Sequence, residues 1–306
     1  MAAVELVEVG PRDGLQNAPR SFPPTLRAEL CRRAAAAGIA RVEAVSFVRE
    51  DAVPQMAGAA DVIAELADDD LTTIGLVLNP RGLELLAATG AREARVVVIV
   101  SDALSRRNSN ISSEDGLRAG VAMVQRAREL GLHTGAVVAT AFGCPFSGEV
   151  PQADVLRVAE TLAGAGAHEL IFADTIGVGA PREVRSILTS AAGFGPRLGV
   201  HLHNTRNTGY ANALAAVESG ATILDSAIGG LGGCPFSPGA SGNVATEDLV
   251  YLLEREGIQT GLDLDRLIGA AKWLEEATGL ELPGSLHRVP PFPPAPAAQS
   301  DVRLAI

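Results

Sequence analysis

Aromatic side chains make up only 4% of this 306-residue chain, so its core must be built largely from Ala, Val, Leu and Ile. Cysteine is equally scarce. The three copies, Cys31, Cys144 and Cys234, are too few and too widely spaced for a disulfide scaffold or a zinc ribbon, and a reducing cytosol is the expected home. No run approaches the ~20 apolar residues of a membrane span, and residues 1–9 carry acids without a basic flank, so neither an anchor nor an export signal is expected. Positive charge is in deficit too: 25 Lys and Arg against 36 Asp and Glu leave a formal charge of -11. That balance excludes a nucleic-acid partner, which needs clustered cations that outweigh the acids. It leaves room for a local patch toward a small anion, for which Arg20, Arg49, Arg106 and Arg107 are the candidates.

What the chain does have is alternation. Hydrophobic residues at 47%, charged residues at 20% and 33 glycines describe a globular protein with many short turns. Short β-branched runs at 4–9, 39–46, 71–78, 95–101, 133–141, 168–174, 198–203 and 222–228 read as strands. Helical periods fall between them, at 114–130, 152–165, 182–192 and 209–219 among others. Gly38, Gly90, Gly131, Gly166 and Gly220 each follow a helical stretch, where the backbone is expected to turn left-handed. About eight strands with intervening helices predict an α/β fold, a (β/α)8 TIM barrel, as one domain over residues 1–282. From Pro283 the composition changes. Pro290, Pro291, Pro293, Pro294 and Pro296 predict a Pro-rich tail over 283–306, extended or without regular structure.

In such barrels the chemistry sits at the C-terminal strand ends, and the polar candidates fall there. Asp13 follows the first strand, Glu43 lies in the second, Asp174 closes the sixth, His201 and His203 close the seventh, and Cys234 and Asn243 follow the eighth. His201 and His203 stand two apart, so strand alternation points both imidazoles to one side. With Asp13 and Asn243 they offer two nitrogens, two oxygens and one negative charge. That mixture suits octahedral Mg²⁺ or Mn²⁺ better than structural Zn²⁺. Other readings stay open: Asp13 as a turn carboxylate, Asn243 as a cap of the helix near Ala245, and the glycines around Cys234 as tight turns. In its glycine-rich setting, Cys234 is the thiol placed to deliver a proton to a carbanion.

These residues fall in blocks that resemble the 3-hydroxy-3-methylglutaryl-CoA lyase family. The blocks are VELVEVGPRDGLQN (4–17), SFV (46–48), VPQM (53–56), GCPF (143–146), DTIGVG (174–179), HLHNT (201–205) and GLGGCPFSPGASGNVATEDLVYLLE (230–254). The resemblance runs from Val4 to about Gly261. It implies that Asp13, His201, His203 and Asn243 bind Mg²⁺ or Mn²⁺, that Arg12 stabilises enolate charge and that Cys234 donates a proton. Glu43 and Asp174 are implied as further active-site carboxylates, with His201 or Asp174 as acceptors of the hydroxyl proton. Gln16, Arg20, Arg106 and Asn108 are expected to hold the acyl-CoA, and a homodimer in the cytoplasm is expected. The implied reaction is retro-Claisen cleavage of a 3-hydroxyacyl-CoA to acetyl-CoA and, for the hydroxymethylglutaryl thioester, acetoacetate.

The chain departs from the mitochondrial branch of that family at three places, one of them the missing cysteine that the branch carries near its C-terminus, so no thiol switch is expected there. Asn204 and Arg206 follow the second histidine where that branch has Asp and Tyr, so an added cation near the metal is expected to change how the acyl end is held. Ala18 and Pro19 replace a Glu-Lys pair, which leaves Arg20 as the substitute for a phosphate-binding lysine. A lyase for a related thioester, such as citramalyl-CoA, is the nearest alternative. A metal-dependent hydrolase is disfavoured because its His-x-His follows the first strand. A non-catalytic acyl-CoA or metal-binding barrel is the reading from another class.

Overall fold

All eight expected runs form parallel strands in the computed structural model, which describes residues 4–233, 242–290 and 292. They are β1 (Glu5–Glu8), β2 (Arg41–Ser46), β3 (Thr72–Val77), β4 (Glu93–Ile99), β5 (His133–Ala139), β6 (Glu169–Asp174), β7 (Arg197–Leu202) and β8 (Ile223–Ser226). Each pairs with its neighbour in sequence, and β1 pairs with β8. The result is a closed TIM barrel. Outside it lie α1 (Pro24–Ala36), α2 (Ala59–Glu65), α3 (Pro80–Ala87), α4 (Asp102–Ser109) and α5 (Ser113–Glu129). They are followed by α6 (Gln152–Gly164), α7 (Pro181–Ala191), α8 (Gly209–Glu218), α9 (Thr246–Arg255) and α10 (Leu264–Thr278). Among the described residues no helix is long and apolar enough to cross a membrane.

The longest helix shows how sequence makes the elements. Ser112 caps α5 by accepting from Asp115 N at 3.0 Å, acids fill the first turn and arginines the last, in accord with the helix dipole. Its buried residues Leu117, Gly120, Met123, Val124 and Ala127 recur at three- and four-residue spacing and pack on the sheet. Gly38, Gly131, Gly166 and Gly220 take the expected positive φ; Gly90 does not. Between helices and strands the core is aliphatic, and within the barrel Val7, Ile74, Val137, Ile171 and Ile223 form a second, smaller cluster.

Charge closes the N-terminal end of the barrel. Arg41 Nη2 lies 2.5 Å from Glu93 and 2.9 Å from Glu169, and His133 Nε2 lies 3.2 Å from the other Glu169 oxygen. Burial opposes the Glu169 charge, but His133 and Arg41 outweigh it and hold the carboxyl down at about 2.

The expected boundary at residue 283 falls inside packed structure. Leu282 is fully buried, Gly284 N donates to Gly229 O at 2.8 Å, and the amides of Ser285 and Leu286 donate to Asp248 at 2.8 and 2.9 Å. Residues 280–288 therefore form a strap on the barrel, and the remaining prolines of the expected tail lie, apart from Pro290, outside the described residues.

A pH test follows from the N-terminal plug. Glu169 raises His133 above its ordinary value of 6.5, so this pair's stability is fully present below that value and is lost as pH rises through the higher folded-state value. In thermal melts, the deficit of His133→Gln relative to the natural chain should be largest below about pH 6.5 and shrink above it.

Candidate active site

At the opposite end, β1 runs into a π-helical turn at Gly10–Gly14 that carries Arg12 and Asp13. Arg12 Nη1 reaches Asp13 Oδ1 at 2.7 Å, and the guanidinium also grips Glu43 of β2. Glu43 Oε2 accepts from Arg95 of β4 at 3.2 Å, and the same Arg95 nitrogen reaches Asp225 of β8 at 2.6 Å. Asp225 stands 3.2 Å from His201 Nδ1. A continuous chain of charged groups thus links four strands and the turn. Beside it the Nε2 atoms of His201 and His203 lie 3.3 Å apart, 3.9 and 3.7 Å from Asp13 Oδ2.

This arrangement fits a cation. With Nδ1 of His201 donating to Asp225, its Nε2 carries a lone pair directed toward His203 and Asp13. Asp13, His201 and His203 present one ligand atom each, all within 4.8 Å of one another. Burial opposes the Asp13 charge, but Arg12 and the two imidazoles outweigh it and hold the carboxyl well below the usual range. For His201, burial favours the neutral ring, while Asp225 and Asp13 reverse that and raise its pKa.

Asn243 forms a bridge with His203, and its Nδ2 donates to Asp13 Oδ2 at 2.8 Å and to Leu231 O at 3.1 Å. The helix-cap reading is overturned, because Ala245 occupies that position. Asn243 thus stands against Asp13 and His203, two of the three residues with which it is expected to share the cation.

A cavity of about 520 Å³ opens over the cluster. One wall carries the charged groups, the other is Leu76, Val97, Val137 and Ala173, and Gln16 and Asn108 also line it. Arg20 and Arg106 do not. Arg20 donates to Thr278 O at 2.6 Å and stacks on Phe22, while Arg106 is drawn to Asp102 at 2.7 Å, one helical turn away. Arg49 and Arg107 also lie outside the lining, paired with Asp51 and stacked on Phe146. Asp174 lies off the lining as well. Both of its oxygens accept backbone amides, from Val178 and Gly179 at 2.9 Å, and strand alternation puts Ala173 and Thr175 on the cavity instead. Arg206 is spent on the carbonyls of Ile176 and Gly177, and Asn204 accepts from Gly209 N, so the departures after His203 leave the cavity lining untouched. Cys234 lies outside the described residues; Cys31 and Cys144 are buried.

Three contributors escaped sequence reasoning. Arg95 and Asp225 were not singled out, although a charge inside an otherwise apolar parallel strand is itself a signal of a partner across the barrel. The third is Glu8, fully buried, which accepts from Gly10 N at 2.8 Å, Ile228 N at 2.9 Å and Thr246 Oγ1 at 2.8 Å. One carboxylate thereby ties together the segments leading to Asp13, to Gly233 and from Asn243. Burial raises it to about 7 despite those hydrogen bonds.

Comparison with known proteins places this geometry. The HMGL-like family model matches residues 3–274. The chain belongs to the HMGL-like family. It is 42% identical to an (R)-citramalyl-CoA lyase of Chloroflexus aurantiacus, over 96% of this chain and 97% of that protein. It is 38% identical to a hydroxymethylglutaryl-CoA lyase of Bacillus subtilis, over 92% of this chain and 95% of that one. Among solved structures, an HMG-CoA lyase of Acinetobacter baumannii in complex with coenzyme A and 3-methylmalate superposes with a TM-score of 0.89 at 34% identity, covering 95% of this chain and 98% of that one. As an HMGL-like protein with lyase relatives along nearly its whole length, the chain is a carbon–carbon lyase.

Asp225→Ala would release His201 Nδ1 and deprive Arg95 of one of its two carboxylates. Titration calorimetry should then show Mn²⁺ affinity reduced about 10- to 100-fold, the usual cost of losing a group that orients a metal-binding histidine.

Proposed function

We propose that this lyase cleaves the C2–C3 bond of a 3-hydroxyacyl-CoA, with 3-hydroxy-3-methylglutaryl-CoA giving acetyl-CoA and acetoacetate. The observation that carries the reading is the convergence of Asp13, His201 and His203 beside Arg12 in one cavity. Asp13, His201 and His203 would hold Mg²⁺ or Mn²⁺, with Asn243 alongside; a bound divalent cation polarises the oxygens of the substrate.

The protein's own groups supply the rest. Arg12, only 8% exposed, faces the cavity with its charge fixed by Glu43 and Asp13. As the C2–C3 electrons move onto the thioester, negative charge grows on its carbonyl oxygen, and a guanidinium held in a dry site opposes that charge without reorganising. Glu43, Arg95 and Asp225 keep Arg12 and His201 in place. The apolar wall of Leu76, Val97, Val137 and Ala173 excludes water from the enolate and receives the alkyl substituent of the carbinol carbon. The proton of the 3-hydroxyl passes, directly or through water, to His201 or Asp174, the two expected acceptors, of which Asp174 also accepts two backbone amides. Cys234 follows Gly233, which lines the cavity, and we retain it as donor of the proton to the enolate carbon. The acyl-CoA is the partner molecule, with Gln16 and Asn108 toward its coenzyme end; a homodimer in the cytoplasm completes the reading, and a reducing compartment suits the free thiols Cys31 and Cys144.

A second substrate, citramalyl-CoA, is favoured by the 42% identity to the Chloroflexus enzyme. The same bond cleavage would release pyruvate in place of acetoacetate, so product analysis on both thioesters separates the two.

Three measurements test the reading. Chelation should abolish acetyl-CoA release, and added Mg²⁺ or Mn²⁺ should restore it; full activity without metal would end the proposal. Arg12→Ala should lower kcat about 10²- to 10³-fold, while Cys234→Ser should keep Mn²⁺ and acyl-CoA binding yet lose most turnover. Unchanged turnover in either variant removes its assigned role.

A further inference from the structure

Gly229, just beyond β8, is held at both of its peptide groups. Its N–H donates to Glu247 Oε2 at 2.9 Å and its carbonyl accepts from Gly284 N at 2.8 Å. Its φ of +70° favours glycine, and a Cβ at this position would stand 2.4 Å from Leu282 Cδ1. The next residue, Gly230, also has positive φ, and a Cβ there would meet Pro283 Cγ at 3.2 Å. The turn is thus shaped against residues of the strap.

The same turn feeds the active site. Leu231 O holds Asn243, which holds Asp13, and Leu231 Cδ2 lies 3.3 Å from the place a Cβ would take on Gly14. Gly233 O accepts from Asn17 Nδ2 at 2.9 Å. A shift at Gly229 therefore moves two carbonyls that hold side chains on the Asp13 side of the cavity.

The strap is itself anchored along its length. Leu282 N donates to Glu275 at 3.2 Å, and Asp248, which takes the amides of Ser285 and Leu286, also accepts from Tyr210 OH at 3.1 Å. His287 is buried with Nδ1 3.6 Å from Glu247 and Nε2 3.8 Å from Glu275. Glu247 thus links the strap to Gly229 N. None of Leu282, Gly284 or His287 lines the cavity.

We propose that residues 280–288 are a positioning element of the active site: Leu282 and Gly284 fix Gly229, and through residues 229–233 they fix Asn243 and Asp13. Only the metal readout below rests on the proposed function. The test uses the full-length protein with Leu282→Ala, the milder Leu282→Val, and Leu162→Ala as a control. Leu162 is also fully buried, but on α6 and away from the cavity lining. Mn²⁺ affinity is read by calorimetry and amide hydrogen exchange by mass spectrometry.

Leu282→Ala should bind Mn²⁺ about 10-fold more weakly and exchange faster over residues 10–17 and 228–233, with Leu282→Val changed in the same direction by less. Leu162→Ala should lower the melting temperature yet leave Mn²⁺ affinity and exchange in those segments as they are. Wild-type affinity and exchange in the Leu282 variants would overturn the proposal, and Leu282→Val decides if Leu282→Ala does not fold. If the natural chain itself fails to bind Mn²⁺, the metal reading falls and exchange alone judges the strap: faster exchange upholds it, unchanged exchange overturns it.

Discussion

The structure depends on one buried sequence of charges: Asp13, Arg12, Glu43, Arg95, Asp225 and His201, each in contact with the next. Removing these groups from water is costly, and each link offsets part of that cost for its neighbours. Breaking a link strands a charge that is largely removed from solvent. Three carboxylates face two guanidiniums, so with neutral imidazoles the chain is one charge short on the positive side, at the place where both histidines and Asp13 converge. The electrostatics of the scaffold and the appetite of the site for a cation are therefore one property.

A parallel barrel is well suited to carry such a sequence. Its strands deliver side chains to a common axis from distant parts of the chain, and its closed sheet leaves no edge for the groups to relax toward. Glu8 extends the principle to the loops. It sits at the end of β1 and takes hydrogen bonds from three separate segments, which suits a carboxylate because it accepts and does not donate when ionised.

What could be read from the sequence follows from how local each signal is. The strands were legible because β-branched runs between helical periods need no long-range information, and their observed ends differ by one or two residues where pairing partners run out. Asp13, His201 and His203 were legible because their types and strand-end positions state a chemistry. Arg95 and Asp225 were not, since what explains them is chiefly each other, 130 residues apart in sequence, with Glu43 and His201 as further partners on other strands. Arg20 and Arg106 stand near the expected place in sequence, but their guanidiniums are held outside the cavity lining, one by Thr278 O across the fold and one by Asp102 a helical turn away. Asp174 closes β6 as expected, but strand alternation turns it toward its own loop, which the sequence alone does not display. The strap was hidden by composition, as prolines suggested a tail extended or without regular structure, with nothing local to show that a left-handed glycine in another part of the chain fits against Leu282.

The two charged layers share strands in a telling order. On β2 the inward residues run Arg41 then Glu43, and on β4 they run Glu93 then Arg95. Aliphatic neighbours such as Val42, Val96 and Val98 would tolerate a slip of two residues, because such a slip keeps the same faces inward. The ions would not: sliding one strand past the other sets arginine against arginine or glutamate against glutamate, with no water to soften the clash. The interior thus works as a lock with a single fitting key, selecting one alignment of strands that greasy packing by itself would leave degenerate.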